Sequence, residues 1–151
     1  MRILHATPQL RIEALELLTE YRLSIGDARK PGVFEAEIEA YLDASSAVLL
    51  LGYDGAMAVG CVAVRLLETV ASACELRRLY VRPEARGMGV ARTLVRAAAD
   101  YARSNNATSL YLDTRSSMLS AIALYRSEGF VTIPRYNDSA DVDTFMRKGL
   151  A

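Results

Sequence analysis

The chain has 151 residues, 52 % of them hydrophobic, with 18 basic and 18 acidic side chains and a formal net charge of zero. That is material for one domain, read as a single unit over residues 1–151, with a sizeable core. It supplies no overall field that would draw the chain to nucleic acid or to an anionic membrane. His5 is the one histidine, and Cys61 and Cys74 sit in apolar, strand-like contexts with no near partner at ligand spacing. A disulfide framework, a metal centre and a histidine-based catalytic triad are therefore set aside. The first residues lack the apolar stretch of a signal peptide, and no apolar run approaches the ~20 residues of a membrane span, so a soluble cytoplasmic protein is expected.

In chain order, Arg2 to Ala6 reads as a short strand, and Pro8 opens a helical stretch with Ile12, Leu15, Leu18 and Tyr21 at helical spacing. Gly26, Pro31 and Gly32 mark a loop, and a second amphipathic helix follows with Phe34, Ile38, Tyr41 and Leu42 on its apolar side. Ala47 to Tyr53 and Val59 to Leu67 are predicted as paired strands around an Asp54-Gly55 turn, and Cys74 to Val81 as a third strand. After a Gly-rich turn comes a helix over Val90 to Arg103, with Val90, Ala91, Leu94, Val95, Ala98 and Ala102 as its buried stripe. Thr108 to Asp113 is a strand, Met118 to Glu128 a helix stopped by Gly129, and Phe130 to Ile133 and Val142 to Lys148 are the last strands. Hairpins beside βα crossovers argue for an α/β (α+β mixed) architecture, one central mixed sheet of about seven strands flanked by about four helices.

The segment RLYVRPEARGMGVARTLV, residues 78–95, carries the most information. Glycines at 87 and 89 open backbone conformations closed to residues with a Cβ, so successive N–H groups can converge on an anion. The helix that begins there adds unpaired N–H donors and the positive end of its dipole, which together suit phosphate. A P-loop would need Gly-Lys-Ser/Thr where this chain has Gly89-Val90-Ala91, and a dinucleotide fingerprint would need a third glycine where Arg92 stands. Neither fits.

Arg86, Gly89 and Ala91 match R/Q-x-x-G-x-G/A, and Ala121 to Phe130, AIALYRSEGF, matches A-x-x-L-Y-x-x-x-G-F. On these two motifs, and on an element order that follows the family from end to end, the chain resembles the GNAT superfamily of acetyl-CoA-dependent N-acetyltransferases. The resemblance implies acetyl-CoA as cosubstrate, with its diphosphate on the backbone of Arg86, Gly87, Met88, Gly89, Val90 and Ala91 and added charge from Arg86 and Arg92. It implies a pantetheine arm beside Leu79, Tyr80 and Val81, with the N–H of Val81 facing the thioester oxygen. Tyr125 stands where the family has the tyrosine that protonates the departing thiolate, and Glu75 where several members carry a general base. For Glu75 the residues leave two further readings open, a salt bridge to Arg77 and Arg65 or a hold on the substrate ammonium. One departure concerns the Asn that many members place seven residues before the Tyr; here Met118 stands there, flanked by Ser116 and Ser117, and Ser117 is the expected substitute in the cofactor site.

The acceptor pocket implied by the resemblance draws on Tyr21, Arg29, Lys30, Glu35, Glu37, Glu39, Tyr41 and the Arg135-Tyr136 loop. The EAEIEA run reads first as a solvated helix face, and only second as a lure for a cationic amine. Arg29, Lys30 and Arg135 are the residues expected to grip a carboxylate if the acceptor has one. The expected activity is acetyl transfer by direct attack of a primary amine of a small or amino-acid-like molecule. The alternatives are an acyl-CoA sensor without turnover and an enzyme acting on a protein amine. No metal, nucleic acid or membrane partner is expected; a homodimer is compatible, since dimers are common among similar proteins.

Overall fold

A computed structural model describes residues 1–26, 33–43 and 46–151. Apolar runs bounded by turns give seven strands: β1 (Arg2–His5), β2 (Ala47–Asp54), β3 (Met57–Leu66), β4 (Ala73–Val81), β5 (Ser109–Thr114), β6 (Val131–Ile133) and β7 (Thr144–Gly149). Four helices accompany them: α1 (Arg11–Ser24), entered through a 3-10 turn at Pro8–Leu10, α2 (Val33–Asp43), α3 (Val90–Ser104) and α4 (Leu119–Ser127). Both the mixed architecture and the order of elements agree with the sequence reading, with boundaries moved by a residue or two. Arg29, Lys30, Pro31 and Gly32 lie outside the described residues.

All seven strands join one sheet in the order β1-β2-β3-β4-β5-β7-β6. Strands β1 to β4 are antiparallel neighbours, β1 joined to β2 through α1 and α2 and β2 to β4 by successive hairpins, while α3 carries the chain across so that β5 runs parallel to β4. Each face has its own core. On one side α3 lays Val90, Leu94, Val95, Ala98 and Ala102 against Val48, Val62, Val64, Leu76 and Leu110. On the other, Ala14, Leu17 and Leu18 of α1 and Ile38 and Tyr41 of α2 cover Leu49, Leu51, Cys61 and Ala63. Each fully buried aliphatic side chain contributes roughly 1.5–3 kcal/mol of transfer free energy.

Two irregularities interrupt the middle of the sheet, one on each edge of β4. The β4–β5 pairing covers only Ala73↔Ser109, Cys74↔Leu110 and Glu75↔Tyr111; beyond Glu75 the parallel strands part. On the other edge of β4 the register with β3 shifts between Cys61↔Tyr80 and Ala63↔Arg77, so Arg78 and Leu79 face Val62 alone. This is a β-bulge. Arg78 takes a left-handed φ of 57°, unusual for a residue with a side chain.

Close packing on the α3 side depends on Gly60, opposite Val81. A Cβ there would lie 2.8 Å from the Tyr80 carbonyl oxygen, 3.1 Å from Leu94 Cδ1 and 3.3 Å from Val90 Cγ1. Backbone and helix would both have to yield. Gly60→Ala is therefore expected to lower stability by about 1–3 kcal/mol, seen as a lower urea midpoint at unchanged m-value; an unchanged midpoint would mean that α3 rides less tightly on the sheet than these distances require.

Candidate active site

Two cavities open where β4 and β5 part. One, of about 650 Å³, lies between the end of β4, the Gly-rich turn and α4. Leu79, Tyr80, Val81, Arg86, Gly87, Gly89, Val90, Ala91 and Arg92, all expected at the cofactor, line it. Gly87 and Gly89 both adopt φ of 80°, and no atom lies within 4 Å of the position of a Cβ on either, so backbone conformation is what demands glycine. Gly89 is the N-cap of the 15-residue α3, whose first turn has neither a side-chain cap nor an acidic residue. The N–H groups of Val90, Ala91 and Arg92 are left for an anion.

Several expected side chains stand differently. Met88 points outward, 65 % exposed, and does not line the cavity. Ser117 lines neither cavity, and its carbonyl accepts the Leu119 N–H at 2.9 Å. Ser116 instead donates through N–H and hydroxyl to Asp143, at 2.7 and 2.8 Å. Met118 and Ser120 are the residues of this turn that reach the cofactor-side cavity. Arg86 Nε donates to the Val81 carbonyl at 2.9 Å, so that carbonyl is committed. Arg92 donates to Glu128 at 2.5 Å and Ser127 at 2.9 Å, tying α3 to α4. Since the Arg82 N–H turns to Val59 of β3 at 2.8 Å, strand alternation aims the Val81 main chain at the open edge of β4.

The second cavity, about 740 Å³, opens on the α1 side and is lined by Glu75, Arg77, Arg78, Asp113, Arg115 and Tyr125 among others. Tyr21, Ile25, Leu79, Met118 and Ala121 line both cavities, so the two meet in the gap of the sheet. Tyr125 is 6 % exposed and stacks on Phe130, with ring centroids 5.7 Å apart. Burial pushes its phenol pKa up, and the Tyr21 and Asp113 charges add to the rise, so the hydroxyl keeps its proton at neutral pH.

Glu75 is 2 % exposed and fully engaged. Its Oε1 accepts from Arg65 Nε at 2.8 Å and faces Arg65 Nη2 at 2.7 Å; its Oε2 accepts the Tyr136 hydroxyl at 2.6 Å. Arg65 is its cross-strand partner in β3, the neighbour that the sequence suggested. Tyr136 is wedged edge-on between Tyr111 and Phe145. Asp113, which sequence reasoning passes over as a strand terminus, offers a less committed carboxylate: its Oδ2 accepts Asn137 Nδ2 at 2.7 Å, and among the described residues no hydrogen bond to Oδ1 is found. Arg135 is not poised for a ligand, since its guanidinium donates to the carbonyls of Asn137, Ser139 and Val142 and lies over Phe145. The buried Cys61 thiol donates to the Arg78 carbonyl at 3.4 Å, and burial pushes its pKa up to about 12, a poor nucleophile.

The bulge is held from α2. Arg78 Nε and Nη2 donate to the two oxygens of Glu37 at 3.0 and 2.8 Å, and the Tyr41 hydroxyl donates to Glu37 at 2.8 Å. Glu35 and Glu39 stay on the exposed face, Glu39 paired with Arg11, but Glu37 turns inward to the sheet. The signal available beforehand is the double arginine, Arg77-Arg78, within a mainly apolar strand.

This geometry has counterparts. The family model described as the acetyltransferase (GNAT) family matches residues 12–130. An uncharacterized N-acetyltransferase of Schizosaccharomyces pombe is 40 % identical over 91 residues, 60 % of this chain, and the match spans 55 % of that relative, about half its length. A GNAT-family acetyltransferase structure from Staphylococcus aureus superimposes with a TM-score of 0.81 at 17 % identity, covering 99 % of each chain. An acetyltransferase structure from Salmonella typhimurium, solved with its cofactor acetyl-CoA, gives 0.76 at 20 % identity, covering 100 % of this chain and 94 % of that one. The chain belongs to the GNAT family of acetyltransferases.

The Glu37–Arg78 pair also sets a pH dependence. Burial works to raise the Glu37 carboxyl pKa, but the hydrogen bonds and charge of Arg78, with the Tyr41 hydroxyl, outweigh it and hold the group below its ordinary range. A depressed folded pKa stabilises the fold fully above the unfolded value of about 4.3 and loses that contribution as pH falls through the folded value. Glu37→Gln should therefore be less stable at neutral pH and show a shallower loss of stability on acidification, measured by urea titration from pH ~7 to ~3; parallel curves for the two proteins would remove Glu37 from the acid transition.

Proposed function

We propose that the protein transfers the acetyl group of acetyl-CoA to a primary amine by direct attack, in the gap between β4 and β5. The observation that carries this reading is that a phosphate cradle and an acceptor-sized cavity meet at Leu79, Met118 and Ala121. The N–H groups of Val90, Ala91 and Arg92 and the glycine turn would hold the diphosphate. The cofactor supplies a thioester-activated acetyl group. The exposed main-chain edge Leu79–Val81 would align the arm and donate to the oxygen on which negative charge grows. Leu79, the residue of this edge that reaches both cavities, would lie nearest the reacting carbon.

An ammonium must lose a proton before its nitrogen can attack. Asp113, with Oδ1 uncommitted and Tyr125 in the same cavity, is assigned to accept that proton, directly or through water. Glu75, both of whose oxygens are occupied, is assigned the electrostatic frame of the cavity, holding Arg65 and Tyr136 in place. As the N–C bond forms and the C–S bond breaks, Tyr125 would pass its phenolic proton to the thiolate, and the second proton shed by the acylated nitrogen would return to the phenolate, directly or through water. A sensor without turnover would not require this pairing of acid and base.

Thiol release over a panel of amines tests the assignment. Tyr125→Phe should lower kcat roughly 10²-fold at little change in acetyl-CoA affinity. Asp113→Asn should flatten the acidic limb of the kcat/KM profile, whereas Glu75→Gln should chiefly lower the unfolding midpoint; the reverse pattern would return the base role to Glu75. Tight acetyl-CoA binding with no acetylated amine would favour the sensor. Separately, Gly89→Val forces a β-branched residue to φ of 80°, a strain of about 1–2 kcal/mol. It should raise the KM for acetyl-CoA about tenfold; normal cofactor affinity in this variant would contradict the placement of the diphosphate.

A further inference from the structure

Among the described residues, the acceptor cavity contains one cation whose hydrogen-bonding capacity the protein leaves largely unused. Arg77 lies on β4 between Glu75 and the bulge, lines the cavity, and is 24 % exposed at its side chain. Among the described residues, its guanidinium has one carboxylate at ion-pair distance, Glu75 Oε1 at 3.6 Å from Nε, beyond hydrogen-bond reach, while Glu37 acts on it only through space. That oxygen already receives Arg65. Other cavity arginines are occupied: Arg78 by Glu37 in a two-pronged pair, and Arg115 by the main-chain carbonyls of Ile25 and Asp141.

We infer that Arg77 recognises a carboxylate on the acceptor, so that the enzyme prefers amines carrying an acid group a few bonds from the nitrogen. This rests on the acetyl-transfer reading and specifies its substrate class. A half-buried guanidinium with five donors and no acceptor is costly unless a ligand completes it, and a planar carboxylate matches two of those donors at once. Arg65 and Arg78 stand near enough that their charges, after burial itself, push the Arg77 pKa down. An incoming anion supplies the partner charge that Arg77 lacks at hydrogen-bond distance. The placement also fits a small acceptor: Arg77 and Leu79 line the same cavity on either side of the bulge residue, so a carboxylate at Arg77 leaves an amine within reach of the junction at Leu79, Met118 and Ala121. Of the residues singled out by the sequence for this grip, Arg135 is committed to carbonyls, and Arg29 and Lys30 lie outside the described residues.

The test compares α-, β- and γ-amino acids with their carboxamides as acceptors, using wild type, Arg77→Gln and Arg77→Lys, with acetyl-CoA binding measured by calorimetry for each. Wild type should acetylate the acids roughly 10- to 100-fold more efficiently in kcat/KM than the amides, the worth of a charged, paired hydrogen bond. Arg77→Gln should bring that ratio close to one by slowing the acids far more than the amides, and Arg77→Lys should restore part of it. Equal use of acids and amides by wild type, an unaltered ratio in Arg77→Gln, or no acetylated acid at all would overturn the inference while acetyl-CoA still binds. Loss of acetyl-CoA binding in the wild type would instead remove the acetyl-transfer reading beneath it. Thermal midpoints of the variants, and their amide turnover, separate a recognition defect from misfolding.

Discussion

The parting of β4 from β5 after three paired residues is the constraint on which the rest of the molecule depends. Sheet hydrogen bonds normally leave no room for a ligand between strands, and an unpaired edge in the middle of a sheet leaves polar groups unmet. Here the opened edge of β4 lies over the turn that begins α3, so one gap both exposes main-chain donors and leads to a helix N-terminus. Every residue assigned a chemical part stands within this gap or on a wall of the cavities it joins.

The gap stays open because its flanks are fastened from several sides. Arg82 joins β4 to Glu20 of α1 and to the Ala58 carbonyl of β3. Glu128 collects Arg92 and Arg96, holding α4 to α3 across the mouth of the cofactor-side cavity. Arg65, Glu75 and Tyr136 bind the β3–β4 edge to the loop before β7. None of these ion pairs needs to add much net stability, since partly exposed pairs rarely do. Their effect is geometric: they fix where the walls stand.

Much of this is legible in the residues. The continuous apolar run Ala47–Tyr53 and the 3.6-residue stripe of Val90, Leu94, Val95 and Ala98 are local signals, and they place strand and helix within a residue or two. The Gly87–Gly89 turn is legible because its demand is also local, a positive φ at fixed positions. Partners distant in sequence are not. The inward turn of Glu37 depends on Arg78, 41 residues away, and nothing in EAEIEA distinguishes it from the exposed Glu35 and Glu39. The capture of Arg135 by three carbonyls of its own loop depends on a loop shape that composition does not encode. At the turn before α4, side-chain chemistry favours Ser117 over Met118, but backbone path decides which of them reaches the cavity.

The bulge residue carries a consequence for how this fold can vary. Glycine or asparagine at position 78 would suit φ of 57° better than arginine does, yet would sever the tether to Glu37. Local backbone comfort and long-range anchoring pull in opposite directions at one residue. The orientation of α2 and the aim of the donors beyond the bulge thus form a single mechanical variable. A residue that relieved the backbone there would leave Glu37, on the inward side of α2, without its two-pronged partner.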